Sequence, residues 1–219
     1  MNKRITMTLC VPWFPARRST LLMLTVLIIL AVPPIASPAT FTVNRTTDFA
    51  DAIPGDGRCE TAPGNGLCTL RAAIEESNAL QDQQSVINLP AGTYRLTRGE
   101  LEITVSLALQ GAGLNSTIID GDNQFRVFLI SKGGASPGVE MSGVKVTNGN
   151  SGFLNDGGGI FISPETSLSL SDCIVSDNHA DLSGGGINNL GSLLMISVLS
   201  ATIAVLAREL ASPTRAFCK

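Results

Sequence analysis

The chain has 219 residues, of which 44% are hydrophobic and 15% charged, so it has the composition of a folded protein with one ordinary domain beside a short targeting segment. The formal net charge is −3, and four basic residues precede the first apolar stretch while no acidic residue does, so the remainder carries −7. This acidic balance argues against a nucleic-acid partner, because a phosphate-backbone binder needs a basic face.

The N-terminus has the three parts of a secretory signal. A basic region ends at Arg17-Arg18, an apolar run extends from Leu21 to Val32, and small residues follow at 37–39. We therefore predict a signal peptide over residues 1–39 and an exported protein, extracellular or at the cell surface. The alternative is an uncleaved membrane anchor, but the apolar run is shorter than the roughly 20 residues that a membrane span needs. Membrane contact is expected only through the export signal.

The cysteines fit an oxidising destination. Cys59 and Cys68 flank a turn rich in Gly, Pro and Asn, whereas the other three cysteines are isolated in the sequence. We predict a disulfide between Cys59 and Cys68. The alternative is half of a zinc site, which needs further Cys or His at ligand spacing, and the only histidine, His179, is distant.

Residues 40–80 are predicted to form an N-terminal cap. A short strand near 41–43 precedes a loop over 48–67 that is rich in turn-forming residues, and Thr69 is a suitable N-cap for a helix that runs to about Leu80. On that helix Glu75 and Glu76 are expected on the side opposite the apolar face. The apolar face contains Leu70, Ala73, Ile74 and Ser77.

Short strands with alternating apolar residues begin near Val86. Residues 101–109 alternate most clearly and predict one strand with one buried face. Turn residues follow each of the later strands. These are predicted at Val127–Ile130, Val139 with Met141, Val144 with Val146, Ile160 with Ile162, Leu168 with Leu170, and Ile174-Val175.

An internal repeat connects these strands. Gly157-Gly158-Gly159-Ile160 recurs 27 residues later as Gly184-Gly185-Gly186-Ile187. The preceding segments also align, with Val139, Met141, Ser142, Val144, Val146 and Asn148 opposite Leu168, Leu170, Ser171, Cys173, Val175 and Asp177. A unit of this length predicts one coil of a short parallel β-helix, with coils over residues 81–196. An antiparallel sandwich is the alternative, but it has no reason to repeat at a fixed length.

A motif in the cap resembles a known family. Cys68-Thr69-Leu70-Arg71-Ala72-Ala73-Ile74, followed by Asn78, is similar to the CSLREAI motif of bacterial secreted and surface proteins with right-handed parallel β-helix repeats. The segment Ile87–Tyr94 resembles the one that follows the motif in that family. Thr69 keeps the hydroxyl of the motif serine, whereas Ala72 lacks the carboxylate of the motif glutamate.

The resemblance covers residues 41 to about 196. It implies an all-β, pectin-lyase-like right-handed solenoid with an N-terminal capping helix, export, and a surface or extracellular role. It does not imply one particular activity.

The tail, residues 197–219, departs from the repeat. Leu193, Met195 and Val198 still align with the preceding coil at Leu168, Leu170 and Cys173, but no further turn and glycine triplet follow. The apolar run to Leu210 predicts a helix that ends at Ser212-Pro213. Two interpretations remain open, a genuine cap on the last coil and a non-native tail produced by truncation or a frameshift.

Asp120 and Asp122, with Arg126 nearby, are the candidate site for chemistry. β-Helix enzymes that cleave acidic polysaccharides place calcium-binding carboxylates and a basic residue on one exposed sheet. The alternative is a structural turn, because Asp-Gly and Asp-Asn pairs supply turn geometry. The same alternative applies to Asp172, Asp177, Asn178 and His179. A phosphate cradle at Gly157–Gly159 lacks the helix and Lys-Ser/Thr that such a cradle requires.

Two functions therefore follow from the sequence. The first is a non-catalytic exported scaffold, without a cofactor, that binds extracellular glycans or cell-surface proteins. The alternative is a polysaccharide lyase or hydrolase, or its remnant, with Ca²⁺ at Asp120 and Asp122. This alternative rests on analogy between folds. No residue is assigned a catalytic role.

Overall fold

The computed structural model describes residues 37–81, 84–153, 155–200 and 203–205. The predicted signal peptide lies outside these residues except for 37–39, and so do Cys10, Cys218 and most of the tail beyond residue 205. The described part is largely β, with parallel strands in two sheets and one short helix. In it, no helix has the length and apolar character needed to cross a membrane.

The elements follow one another as short strands around a single helix. In chain order they are β1 (Thr40–Thr42), α1 (Leu70–Ala79), β2 (Ser85–Leu89), β3 (Gly92–Arg95), β4 (Leu101–Ile103), β5 (Leu107–Gly111), β6 (Thr117–Asp120), β7 (Phe128–Ile130), β8 (Gly138–Ser142), β9 (Lys145–Thr147), β10 (Ile160–Ile162), β11 (Ser167–Ser176), β12 (Ile187–Asn189), β13 (Ser192–Ser200) and β14 (Ile203–Val205).

The strands form two sheets in which the described pairs are all parallel. The first sheet has the order β1-β2-β5-β8-β11-β9-β6-β3, and β13 also pairs with β11. The second has the order β14-β12-β10-β7-β4. Strands that pair are separated in sequence by crossovers, as parallel pairing requires. The alternative of an antiparallel sandwich is therefore wrong.

The register of the strands follows the sequence repeat. Val139 pairs with Leu168 and Val146 with Val175, as the alignment of the two copies predicts. Ile160 pairs with Ile187. The glycine triplets are also paired, since the N–H groups of residues 158, 159 and 160 donate to the carbonyls of residues 184, 185 and 186 at 3.3, 2.9 and 2.9 Å. The predicted register is confirmed.

Inward-facing side chains from both sheets form one apolar cluster. Val139 and Leu168 belong to the first sheet and Ile130 and Ile160 to the second, and all four are buried in this cluster. Burial of apolar area of this kind is the main favourable term in folding. Since strand side chains alternate, the residues between them point outward.

The sequence placed some strand boundaries wrongly. The alternating stretch over 101–109, predicted as one strand, is divided between β4 in the second sheet and β5 in the first. Buried and less buried residues continue to alternate through the bend at 104–106. The alternation of apolar residues in the sequence therefore does not show where β4 ends and β5 begins. Conversely, two predicted strands are joined in β11, where Asp172 adopts a left-handed φ of 49°.

The predicted tail helix is wrong over the described residues, which form β13 and β14. Leu193, Met195 and Val198 pair with β11 in the predicted alignment, and β14 pairs with β12. The free edge of β11 offers a complete row of backbone partners to β13. This cooperative pairing outweighs a helix propensity that is low for Ile and Val. The rest of the run to Leu210 lies outside the described residues.

The close backbone contact at the glycine triplets gives a first prediction. A Cβ at Gly158 would lie 1.9 Å from the carbonyl oxygen of His179, whereas one at Gly134 would meet nothing within 4 Å. We expect Gly158→Ala to lower the free energy of unfolding by about 1–3 kcal/mol, because the neighbouring backbone must shift. Urea unfolding with the matched variant Gly134→Ala, expected to change it by less than about 1 kcal/mol, checks this. Equal effects of the two variants would contradict the paired glycine register.

Candidate functional site

Thr69 begins helix α1, as predicted. Its side-chain oxygen accepts a hydrogen bond from the N–H of Ala72 at 3.1 Å, and its hydroxyl donates to the carbonyl of Phe49 at 2.5 Å. The threonine therefore satisfies a free N–H of the first helical turn and connects the helix to the preceding loop.

Arg71 forms a buried ion pair with Asp48. The Arg71 Nε and Nη2 atoms lie 2.6 and 3.2 Å from the two carboxylate oxygens of Asp48. The side chains are only 10% and 4% exposed. Two parallel contacts between a guanidinium and a carboxylate give both strength and a fixed orientation. The pairing partner of Arg71 is thus Asp48, in a loop 23 residues earlier, which the sequence did not identify.

The same pair also binds backbone groups of residues 97–100. Asp48 Oδ2 accepts from the N–H groups of Thr97 and Arg98 at 2.7 and 2.9 Å. Arg71 donates to the carbonyls of residues 99 and 100 at 2.7 and 3.0 Å. Two charged side chains therefore satisfy backbone groups that would otherwise lie at an open edge.

Asn78 continues this contact along β4. Its Nδ2 donates to the carbonyl of Glu102 at 2.8 Å, and its Oδ1 accepts from the N–H of Thr104 at 2.9 Å. The side-chain amide thus takes the place of a neighbouring strand beside β4, which is an edge strand of the second sheet. Arg71 and Asn78, two residues of the CSLREAI-like motif, therefore cap the edge of β4 and the segment before it.

The other side of α1 is also covered, which the sequence did not predict. Glu76 is fully buried, and its two oxygens accept from the N–H groups of Gly55 and Gly57 at 2.5 Å each. Glu75 accepts from the N–H of Asp51 at 2.7 Å. The side of α1 that carries both glutamates is therefore covered, because the loop over 50–58 folds onto the helix through these carboxylates.

The predicted disulfide is present. Cys59 and Cys68 are joined by an S–S bond of 2.02 Å, which closes a loop with a sequence separation of 9. Both sulfur atoms are used in this bond, so the pair cannot serve as zinc thiolates. The disulfide fixes the residue that immediately precedes Thr69.

The buried pair gives a second prediction. We expect Asp48→Ala to lower the free energy of unfolding by about 3–5 kcal/mol, because it leaves the Arg71 guanidinium buried without its partner. Lys132→Ala is the matched control, since the Lys132–Glu165 pair is exposed and removing it costs less than about 1 kcal/mol. Chemical denaturation of both variants measures the difference. A similar small loss in both would contradict the capping role of Asp48.

Asp120 and Asp122 lie at a turn after β6. Asp120 Oδ1 accepts from the N–H of Asp122 at 2.9 Å and from Asn148 Nδ2 at 3.1 Å. Asp122, with a φ of 57°, pairs with Arg95 and accepts from Gln124 Nε2 at 2.8 Å. The hydrogen bond and charge of Asp122 raise the pKa of the Arg95 guanidinium. These contacts are those of a structural turn.

Arg126 is not directed to these carboxylates. Its Nη1 lies 2.7 Å from Glu100 Oε2, and it donates to the carbonyls of Asp156 and Gly157 at 2.9 Å each. The guanidinium also stacks 5.1 Å above the ring of Phe161. Across the described residues, no group of three or more His, Cys, Asp or Glu side chains has the geometry to hold a metal ion. Arg126 therefore contacts Glu100 and backbone carbonyls, and it does not form a reactive group with Asp120 and Asp122.

The remaining polar candidates also have structural contacts. Asp177 has a left-handed φ of 58°, and Asn178 accepts from the N–H of Gly149 at 2.7 Å. His179 is 70% exposed, and its Nε2 lies 3.3 Å from Asp181 Oδ1. In the glycine triplet at 157–159 the N–H groups donate to carbonyls of residues 183–185, so they are not available to cradle a phosphate.

Cys173 is the described cysteine that remains a free thiol. It is buried in β11, and burial raises the pKa of its thiol. A thiol that is buried and protonated is neither a nucleophile nor a metal ligand. Cys173 therefore belongs to the core.

A surface of small polar side chains runs across β5, β8 and β11. We call it the serine face and define it by the outward-facing residues Ser106, Gln110, Glu140, Ser142, Ser167, Ser169 and Ser171. Parallel register aligns them in rows, since Ser167 pairs with Gly138 and Ser171 with Ser142. Neighbouring strands lie about 4.8 Å apart. Gln110, Ser142 and Ser171 therefore form one continuous polar row, whereas Ala108 and Gly138 interrupt the other two rows. The alternation Ser-Leu-Ser-Leu-Ser over 167–171 is the sequence signal that indicates this face.

Two adjoining cavities lie beside part of the serine face, which contributes Ser106 to both and Glu140, Ser167 and Ser169 to one of them. One has a volume of about 470 Å³ and the other about 360 Å³, and Gln84 and Ser106 line both. Their lining is mostly serine, threonine, glycine and amide side chains, and Glu140 is the one charged residue among the described lining residues. The described lining residues include no aromatic side chain. Their hydroxyl and amide groups can exchange hydrogen bonds with a neutral hydroxyl-rich ligand.

Comparison with protein-family models, with curated proteins and with solved structures gives no match. The site must therefore be judged by its own geometry. The serine face combines extent and polarity, although Ser106 accepts from the N–H of Gly138 at 3.0 Å and Ser167 donates to the carbonyl of Pro137 at 3.4 Å. The sequence-predicted residues Asp120, Asp122 and Arg126 are engaged in structural contacts.

Proposed function

We propose that this chain is an exported, non-catalytic protein that binds neutral glycans along the serine face. The proposal includes its architecture, a short right-handed parallel β-helix built from the two parallel sheets. The coil-length register supports it, as does the general right-handedness of parallel crossovers. The cap contacts of Arg71 and Asn78 support membership of the CSLREAI-motif family.

The observation that carries the proposed function is the polar, almost uncharged groove. Serine hydroxyls both donate and accept, which matches the hydroxyl groups of a sugar chain. A polar row across three parallel strands, formed by Gln110, Ser142 and Ser171, suits an extended polymer better than a compact ligand. The acidic character of the chain and Glu140 disfavour acidic polysaccharides, because like charges repel.

Export is supported by the N-terminal segment and by the disulfide. Disulfides persist in oxidising compartments, where a bond such as Cys59–Cys68 is stable. The proposal assigns no cleavage step, since Glu140 is the single charged side chain among the described lining residues of the groove. The hydroxyl and amide side chains of the groove support binding of a ligand.

The function can be tested with paired variants of the serine face. We expect Ser167→Leu combined with Ser169→Leu to weaken binding of neutral polysaccharides roughly 10-fold to 30-fold, because two hydrogen-bonding hydroxyls are lost and bulk is added. Thr93→Leu is the matched control, since Thr93 is an exposed strand residue outside both cavities. A panel of neutral and acidic polysaccharides on a binding array provides the measurement.

The proposal requires binding to a neutral polysaccharide, retention of that binding by Thr93→Leu, and its loss in the double variant. An absence of binding to every neutral polysaccharide in the panel would refute it. So would tighter binding to acidic polysaccharides such as polygalacturonate.

A further inference from the structure

A third cavity, of about 420 Å³, lies in the N-terminal cap. We call it the cap cavity. Phe49, Ala62 and Leu67 form its apolar walls, and its described lining residues differ from those of the two cavities beside the serine face. A cavity of this volume is large enough for a small-molecule ligand. The cap cavity is therefore a candidate binding site that does not depend on the proposed glycan site.

Hydrogen bonds hold the two segments that enclose the cap cavity in place. Asn44 joins them, because its Oδ1 accepts from the N–H of Cys68 at 3.0 Å and its Nδ2 donates to the carbonyl of Gly66 at 2.8 Å. The hydroxyl of Thr69 donates to the carbonyl of Phe49 at 2.5 Å, and the disulfide closes the loop over 59–68. A site with fixed walls loses little conformational entropy when a ligand binds.

Phe49 supplies an aromatic wall that stays 48% exposed. The guanidinium of Arg98 stacks 4.8 Å from the centre of its ring, and Arg98 is not among the described residues that line the cavity. One face of the ring is therefore covered by the guanidinium, and the other face is left to the cavity. Because the ring already interacts with one cation, and like charges repel, a positively charged ligand is disfavoured there.

Arg45 is the single charged residue among the described lining residues of the cap cavity. Its Nη1 donates to the carbonyl of Asn44 at 2.7 Å, and a guanidinium has further N–H groups that can bind a ligand. Thr47 adds a hydroxyl to the same lining. Arg45 and Arg98 thus make the surroundings of this cavity positive in a chain that is acidic as a whole. A guanidinium binds a carboxylate through strong, charge-assisted hydrogen bonds.

We infer that the cap cavity binds a small carboxylate with an apolar body, such as an arylacetate. The apolar body lies against Leu67 and the free face of Phe49, and the carboxylate pairs with Arg45. The two arginines favour an anion over a neutral or cationic molecule of the same shape. This binding is separate from the proposed glycan binding, so either one can fail without the other.

Phenylacetate, phenylacetamide and phenethylamine test the charge of the ligand with the same apolar body. The full chain, exported with its disulfide formed and isotope-labelled, is titrated with each compound and followed by NMR. Phenylacetate is expected to shift the amide signals of residues 45–49 and 61–69. We expect it to bind roughly tenfold more tightly than phenylacetamide, because the charge-assisted pair with Arg45 is lost in the amide. Phenethylamine, a cation, is expected to bind most weakly.

Two arginine variants separate the cavity from the general charge of the cap. Arg45→Gln is expected to lower the affinity for phenylacetate roughly tenfold, to that for phenylacetamide. Arg58→Gln is the matched control, because Arg58 is an exposed arginine of the cap outside the described cavity lining, and it should bind as the wild type does. Phe49→Ala is expected to weaken binding of the acid and the amide alike, because it removes the aromatic wall.

Three results would overturn the inference. They are unchanged amide signals of residues 45–49 and 61–69 at every phenylacetate concentration, equal affinities of the wild type for the acid and the amide, and equal losses in the two arginine variants. If Arg45→Gln does not retain the circular dichroism spectrum of the wild type, the comparison of the three compounds on the wild-type chain decides.

Discussion

The ion pair between Asp48 and Arg71 secures the edge on which the second sheet is built. It occupies backbone groups of residues 97–100, and the Asn78 amide does the same for residues 102 and 104. β4 lies in this segment, β7 pairs with β4, β10 with β7 and β12 with β10. An edge without a partner would expose backbone groups to water or to another chain. The side chains that α1 and its preceding loop provide satisfy those groups within the molecule.

The register of the strands also determines which side chains lie on the surface. Because the side-chain period in a strand is two, a slip of one residue would turn serines toward the core and leucines toward solvent. The buried Leu168 and Leu170 therefore hold Ser167, Ser169 and Ser171 outward, and the same argument applies to β8. Parallel pairing of β5, β8 and β11 extends this local alternation across three strands. The proposed glycan site is thus a consequence of the core and needs no separate scaffold.

Sequence repetition predicted the strand register because strands of one copy of the repeat pair with the matching strands of the next copy. The 27-residue repeat of the glycine triplet thus pairs Ile160 with Ile187. Features that depend on contacts between distant segments were not predictable in this way. Nothing near Arg71 in the sequence indicated Asp48, and nothing near Glu76 indicated that the loop over 50–58 would bury its carboxylate. The tail was predicted as a helix because its apolar run has no turn residues, whereas the open edge of β11 imposes strand pairing on it.

The two ends of the described strands differ, since one is closed by Asp48, Arg71 and Asn78 and the other consists of β13 and β14. Hydrogen exchange under native conditions tests the closed end most directly. The amides of Thr97, Arg98 and Thr104 donate to side chains and not to a neighbouring strand. We expect them to exchange as slowly as amides of the core strands, because opening them requires loss of the cap. Exchange of these amides at the rate of an unstructured peptide would contradict it.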